Sequence, residues 1–272
     1  MTAPESTDLL GRLRESANQF LQPVEFRIVS TTEELRAAAA LVYREYLKRN
    51  YLTPHPSCLK LSIYNALPTT ATFIAKHPRR GVIGTITLIE DSPLGLVMDD
   101  AYKSELDSLR RGGHRLAEAS MLAIDTELFG RGVFTLFHTK KLLLTLHLFK
   151  VMFDYLRSST PMDEVVACFN PKHQVLYEFL QLKPLGGVKA YLGANGNPAV
   201  AMHLNVHDTE AHATCHAAYR LFYGQRPRPE PFAQKLFLSP EDLRRLFVEE
   251  TGLLQSASPT ELAYLRDRKR VV

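Results

Sequence analysis

Apolar residues recur along this chain with two different periods, and the switches between them mark its elements. VEFRIV (24–29) alternates apolar and polar positions, the period of a half-buried strand. Thr32 then stands as a helix cap with Glu33 and Glu34 behind it. Leu35, Ala39, Val42, Tyr43 and Tyr46 follow at helical spacing, which predicts a helix to about Lys48. Residues 50–69 hold three prolines and no period, and read as a loop. TATFIAK (70–76) and GVIGTITLIE (81–90), separated by HPRR, predict a hairpin. After the loop SPLGLVMDD, a short helix is expected over 101–110, ended by Gly112 and Gly113.

RLAEASMLAID (115–125) has a nearly continuous apolar run, as expected for a strand covered on both faces. A turn, TELFGRG, leads to a long helix from Val133 to about Arg157. EVVACFN (164–170) is another buried strand, and Pro171 opens a helix to about Leu180. KPLGGVKAYL (183–192) and PAVAMHLNV (198–206) complete the strands, with turns at Gly186-Gly187 and Asn195-Gly196. In the tail, Asp208 predicts a capped helix to Tyr223, and residues 224–231 a linker. Ser239 and Ser258, each followed by proline and an acid, predict two further helix starts. The expected organisation is an N-terminal helical segment over 1–23, a mixed α/β core over 24–207 and a helical extension over 208–272. The hairpin implies antiparallel strands in the first half; helical crossovers imply parallel strands in the second.

Composition narrows the class. The chain has 272 residues, 45% hydrophobic and 23% charged, enough to bury a core. A net charge of +4 is far from that of a dedicated nucleic-acid binder, yet it permits a local basic patch. Arg79, Arg80, Arg110, Arg111, Arg115, Arg131, Lys140 and Lys141 are expected to form such a rim, facing an acidic partner. The three cysteines, Cys58, Cys168 and Cys215, are odd in number and widely spaced, without a CxxC pair. Neither a zinc knuckle nor a disulfide framework is indicated, and reduced thiols in a cytoplasm are expected. The first 20 residues carry charges every few positions, unlike a signal peptide. The apolar stretch 133–156 is interrupted by His138, Lys140, Lys141, His147, Lys150 and Asp154, and reads as a buried amphipathic helix, not a membrane span.

Three places carry candidate chemistry. Gly130, Arg131 and Gly132 precede a helix, where free backbone N–H groups and the dipole favour a phosphate; a turn that merely needs glycine angles is the alternative. Glu118 stands between Ala117 and Ala119 in an apolar strand. Desolvation there raises a carboxyl pKa toward that of a general base; an ion pair with Arg115 or another arginine is the alternative. Tyr177 follows a strand by one helix and is placed either to protonate a leaving thiolate or simply in the core. His203, His207, His212 and His216 cluster near the tail. His212 and His216 share a helix face, but no carboxylate–histidine motif accompanies them, and a surface helix is the expectation rather than a metal site.

The order of elements, the long helix after a glycine turn and the Asn170-x6-Tyr177 arrangement resemble the GNAT acyltransferase fold. LVYREYLKRNYL (41–52), residues 70–100, RLAEASMLAID, CFNPKHQVLYEFL (168–180) and residues 183–206 resemble, more narrowly, the long-chain N-acyl amino acid synthases of FeeM type, relatives of acyl-homoserine lactone synthases. The resemblance implies a thioester donor, acyl carrier protein or acyl-CoA, with no permanently bound cofactor, and an amino acid or similar small amine as acceptor. It makes Glu118 the strand base. The backbone around Ser120, Leu122 and Ala123, opened by a bulge, becomes the oxyanion site. Tyr177 becomes the acid and Asn170 a partner of the pantetheine amides. Phe134, Phe137, Phe149, Met152 and Phe153 are candidates for an acyl pocket. The family often has arginine where this chain has Met121, and a glycine-aromatic pair where it has Gln181-Leu182. The shortened phosphate turn favours a carrier protein, whose single phosphate needs less cradle than coenzyme A. A coenzyme A-dependent acetyltransferase and a non-catalytic acyl- or carrier-binding protein are the alternatives. The C-terminal helices would cover the acyl tunnel or make a homodimer contact.

Overall fold

The computed structural model of the chain describes residues 19–129, 134–211 and 232–267, without the side chains of 134–138 and 209–211. Its frame is a seven-stranded sheet. The strands are β1 (Glu25–Ile28), β2 (Ala71–His77), β3 (Gly81–Glu90), β4 (Leu116–Ile124), β5 (Glu164–Phe169), β6 (Lys183–Tyr191) and β7 (Asn197–Asn205). Their spatial order is β1-β2-β3-β4-β5-β7-β6. This is the mixed sheet of a GNAT fold. Only β4 and β5 pair in parallel, because β7 inserts antiparallel between β5 and β6. Parallel pairing is therefore confined to one place in the second half, less than the helical crossovers suggested.

Helix α1 (Thr32–Leu47) is capped one residue earlier than the sequence suggested: Thr31 Oγ1 accepts the Glu34 amide at 3.2 Å. Helix α2 (Asp99–Arg111) precedes β4, and α3 (Phe134–Ser159) forms the crossover from β4 to β5. Alternation within the strands sends Phe73, Ala75, Ala117, Ala119, Val165 and Ala167 to one face, against Leu144, Leu148, Phe149 and Phe153 of α3. Leu116, Val166 and Ile89 point to the other, against Tyr102 and Leu106 of α2. Gly84 lies where α3 approaches closely, since a Cβ there would meet Ile124, Leu144 and Leu148, each at 3.0 Å. Phe149, Met152 and Phe153 are buried in this core and do not line the cavity described below, which removes them from the acyl-pocket candidates. The side chains of Phe134 and Phe137 lie outside the described residues.

After β5, Pro171–His173 forms a 3-10 turn and α4 (Gln174–Phe179) completes the short helix. Gln181, where the family's glycine was expected, adopts φ 68°, a left-handed conformation that glycine takes more easily. Helix α5 (Val206–Ala211) begins two residues before Asp208, which therefore does not cap it. The rest of that expected helix, the linker 224–231, most of the N-terminal segment, Cys215, His212 and His216 lie outside the described residues. Ser239 and Ser258 do open helices. Ser239 and Asp242 form a reciprocal capping box at α6 (Pro240–Leu243), which continues as a π-helical turn through Glu250. Ser258 caps α7 (Pro259–Asp267) with Glu261. Leu243, Leu246, Phe247, Leu254 and Leu265 share a hydrophobic cluster with Leu35, Ala38 and Ile74, so the tail packs directly onto α1 and the sheet. Among the described residues no helix is long and apolar enough to cross a membrane.

The basic rim is not one surface. Arg110 is held by Asp91, Asp99 and Asp107, and Arg115 by Asp163, beside the N-terminal end of β4. Arg79 and Arg80 lie in the β2–β3 turn, beside the opposite end of β4. Arg131 lies outside the described residues.

Candidate active site

The site begins with a break in the sheet. β4 and β5 pair from Leu116↔Glu164 to Glu118↔Val166 and no further, although both strands continue. On the β3 side, Thr85 faces Ala123 and Thr87 faces Ser120, so Ile86 stands opposite both Met121 and Leu122. This is a bulge, with Met121 at φ 53°. The extra residue reverses the alternation. Ala117 and Ala119 face α3 before it, whereas Met121 and Ala123 pack with Leu41 and Val42 of α1 after it. Bulge and splay together leave the backbone of 119–124 without a strand partner on the β5 side, at a cavity of about 340 Å³.

Glu118, Ser120, Leu122, Ala123, Asn170 and Tyr177 all line this cavity. Gly130, Arg131 and Gly132 lie outside the described residues. Glu118 is 2% exposed. Its Oε2 accepts the Met98 amide at 3.0 Å, at the start of α2, and Ser120 and the Val97 backbone favour the charged carboxylate as well. Among the described residues no guanidinium pairs with it; Arg115 is engaged with Asp163 instead. Burial pushes the Glu118 pKa up to about 7, against the lowering effect of those hydrogen bonds. The carboxyl thus titrates where a base must switch at neutral pH.

Tyr177 is buried, its ring stacked on Phe169 at 3.5 Å between centroids and edge-on to Phe149 at 5.6 Å. Burial raises its pKa well above that of a free phenol, so it keeps its proton. Asn170 Oδ1 accepts the Lys172 amide at 3.2 Å and so caps the turn after β5. His203, one of the clustered histidines, lies on β7 with Nδ1 2.5 Å from Glu164, away from the cavity lining. Among the described residues no group of His, Cys, Asp and Glu is placed to hold a metal ion.

The sequence reading missed Tyr46, Tyr191 and Cys168, which line the same cavity. Burial chiefly, then the Glu118 charge, raises the pKa of Tyr191 and of Cys168, the thiol reaching about 12. Tyr46 is raised by burial and, among smaller effects, by the same carboxylate. Tyr46 had shown only the helical spacing of a core residue, and nothing near Tyr191 or Cys168 in sequence points to Glu118. The lining also carries Arg49, Lys141 and His173. Burial, then Lys172, Lys141 and Arg49, push the His173 pKa down to about 4, so it is neutral at pH 7.

The family model described as N-acyl amino acid synthase FeeM matches residues 37–205. The solved structure of FeeM, an N-acyl amino acid synthase from uncultured soil microbes, superposes with a TM-score of 0.58 at 25% identity, over 72% of this chain and 97% of that one. The AHL synthase LasI superposes with a TM-score of 0.50 at 15% identity, over 74% of this chain and 94% of that one, a likeness of fold. No curated protein matches the sequence significantly. With the family model spanning more than half of its length, the chain belongs to the FeeM family of N-acyl amino acid synthases and is an N-acyltransferase.

Proposed function

We propose that the enzyme moves a long acyl group from the phosphopantetheine thioester of an acyl carrier protein to the α-amine of an amino acid, with Glu118 as base. The observation that carries this reading is the buried Glu118 carboxyl beside the gap between β4 and β5. An α-amine of pKa about 8 or above arrives mostly protonated at pH 7. Glu118, directly or through a water, takes the proton, and the free amine attacks the thioester carbonyl carbon. The oxyanion that forms lies against the unpaired backbone N–H groups beside the Met121 bulge. The attacking nitrogen, positively charged after addition, gives its second proton to water, and the intermediate collapses as the C–S bond breaks, leaving amide and thiolate.

The raised phenol pKa of Tyr177 makes full proton transfer to a thiolate, whose own pKa is about 8.5, unfavourable. Tyr177 therefore donates a hydrogen bond to the departing sulfur, and solvent supplies the proton later. Tyr177→Phe keeps the stack on Phe169 and is expected to lower kcat by about 10- to 50-fold, the worth of one hydrogen bond to a charged group. Pre-steady-state release of free thiol measures it; an unchanged rate would leave Tyr177 a packing residue. Cys168 supports direct transfer, because a thiol held near pKa 12 is a poor nucleophile for an acyl-cysteine intermediate.

The test is to incubate the enzyme with carrier protein loaded with acyl chains of several lengths, or with the matching acyl-CoA, plus a mixture of amino acids and simple amines. Mass spectrometry should find N-acyl amino acids, formed faster from the carrier protein. Acetylated amines formed only from acetyl-CoA would replace this reading with an acetyltransferase. Acyl binding with no thiol released would replace it with a carrier.

A further inference from the structure

The cavity lining includes four basic side chains, Arg49, Lys60, Lys141 and His173. Arg49 is paired with Glu45 at 2.8 Å. His173 is neutral, and Lys141 is crowded by Arg49 and Lys172, so that group suits a ligand of more than one negative charge. Lys60 differs. It lines the cavity with Glu118, and burial alone lowers its pKa; none of the other basic groups contributes. Among the described residues its ammonium has no ion pair and no hydrogen bond. Its amide bonds the Ala39 carbonyl of α1 at 3.1 Å, which anchors the backbone while the side chain reaches the cavity. A desolvated lone cation facing a cavity is costly unless a ligand completes it.

We propose that Lys60 is a positioning and specificity residue for the acceptor: its ammonium receives the carboxylate of the amino acid whose amine is acylated. This rests on the amino acid acceptor proposed above. One cation matches one carboxylate, which is satisfied by the three N–H donors of an ammonium. Holding the carboxylate at Lys60 orients the amine toward the Glu118 side of the cavity, so simple amines lacking a carboxylate are discriminated against.

The test compares wild type, Lys60→Met, Lys60→Gln and Lys60→Arg, each shown folded by thermal melting, with an amino acid and its primary amide as acceptors. Lys60→Met should raise KM for the amino acid about 30-fold, the loss of a hydrogen-bonded charge, and change KM for the amide by less than about 3-fold. Lys60→Arg should recover much of the loss, and kcat should hardly move. Equal effects on both acceptors, or none, would overturn the proposal. A second arm needs no turnover. Calorimetric binding of an N-dodecanoyl amino acid and of its methyl ester should favour the acid in wild type and lose that preference in Lys60→Met. An inactive wild type with that preference would sink the proposed reaction and keep Lys60. An active wild type without it would do the reverse.

Discussion

Glu118→Gln is expected to lower kcat/KM by about 1,000-fold, within the range of 10²–10⁴ that a positioned general base contributes. The substitution is close to isosteric, and a glutamine oxygen can still accept the Met98 amide, so the start of α2 stays capped. The melting curve should therefore remain cooperative while the rate falls. This separates a catalytic role from the structural one that the same hydrogen bond suggests. Two pH profiles check the assignment. In wild type, kcat/KM should rise with pH to a plateau with a midpoint about 7, as Glu118 ionises, and the variant should lose that limb.

The stability profile runs the other way. Glu118 has a folded pKa about 7, above its ordinary carboxyl value, so between these two values the folded chain binds more protons than the unfolded. Its contribution is full at low pH and is lost as pH rises through that window, by about 3 kcal/mol. The difference in unfolding free energy between Glu118→Gln and wild type should grow by that order from about pH 4.5 to 7 and then level. Full activity in the variant, or a flat difference curve, would take Glu118 out of the mechanism.

Phe247→Ala is expected to cost about 3–5 kcal/mol of stability, the usual penalty for emptying a buried phenylalanine site. At this chain length that lowers Tm by roughly 6–15 °C. Phe247 is fully buried in the tail, and the cluster around it includes Leu35 and Ile74 from α1 and the sheet. It does not line the cavity, so kcat at a permissive temperature should hold. Chemical denaturation with one probe in the tail and another in the core decides the point. A single shared transition marks the described tail as part of the fold. Two transitions, with the core unmoved by Phe247→Ala, would mark it as an appendage and make a lid or dimer contact the better account.

Much of the architecture was legible because it depends on local periodicity. The continuous apolar run of 115–125 and the alternation of 24–29 specify which backbone segments form strands, and β4 and β1 fall within a residue or two of those bounds. Glu118 was legible for a related reason: a carboxylate between two alanines in an apolar strand conflicts with its surroundings, and such conflicts mark sites. The tail's capping signals at Ser239 and Ser258 were equally local. The basic rim failed because proximity in sequence says nothing about partners. Arg110 found three aspartates, and those contacts are set by how α2 docks beside the sheet. Phe149, Met152 and Phe153 failed as pocket residues because α3 turns that face into the core.

What the sequence determined by itself was the set of elements and one charged residue out of place among them. Tertiary structure alone decided that β7 inserts between β5 and β6 and that β4 and β5 part after Glu118. It also gathered Tyr46, Lys60, Cys168 and Tyr191 from four separate segments around that gap. The reason is physical: periodicity records which face of an element is buried, whereas a cavity is formed where elements fail to touch, and that depends on every register and bulge at once.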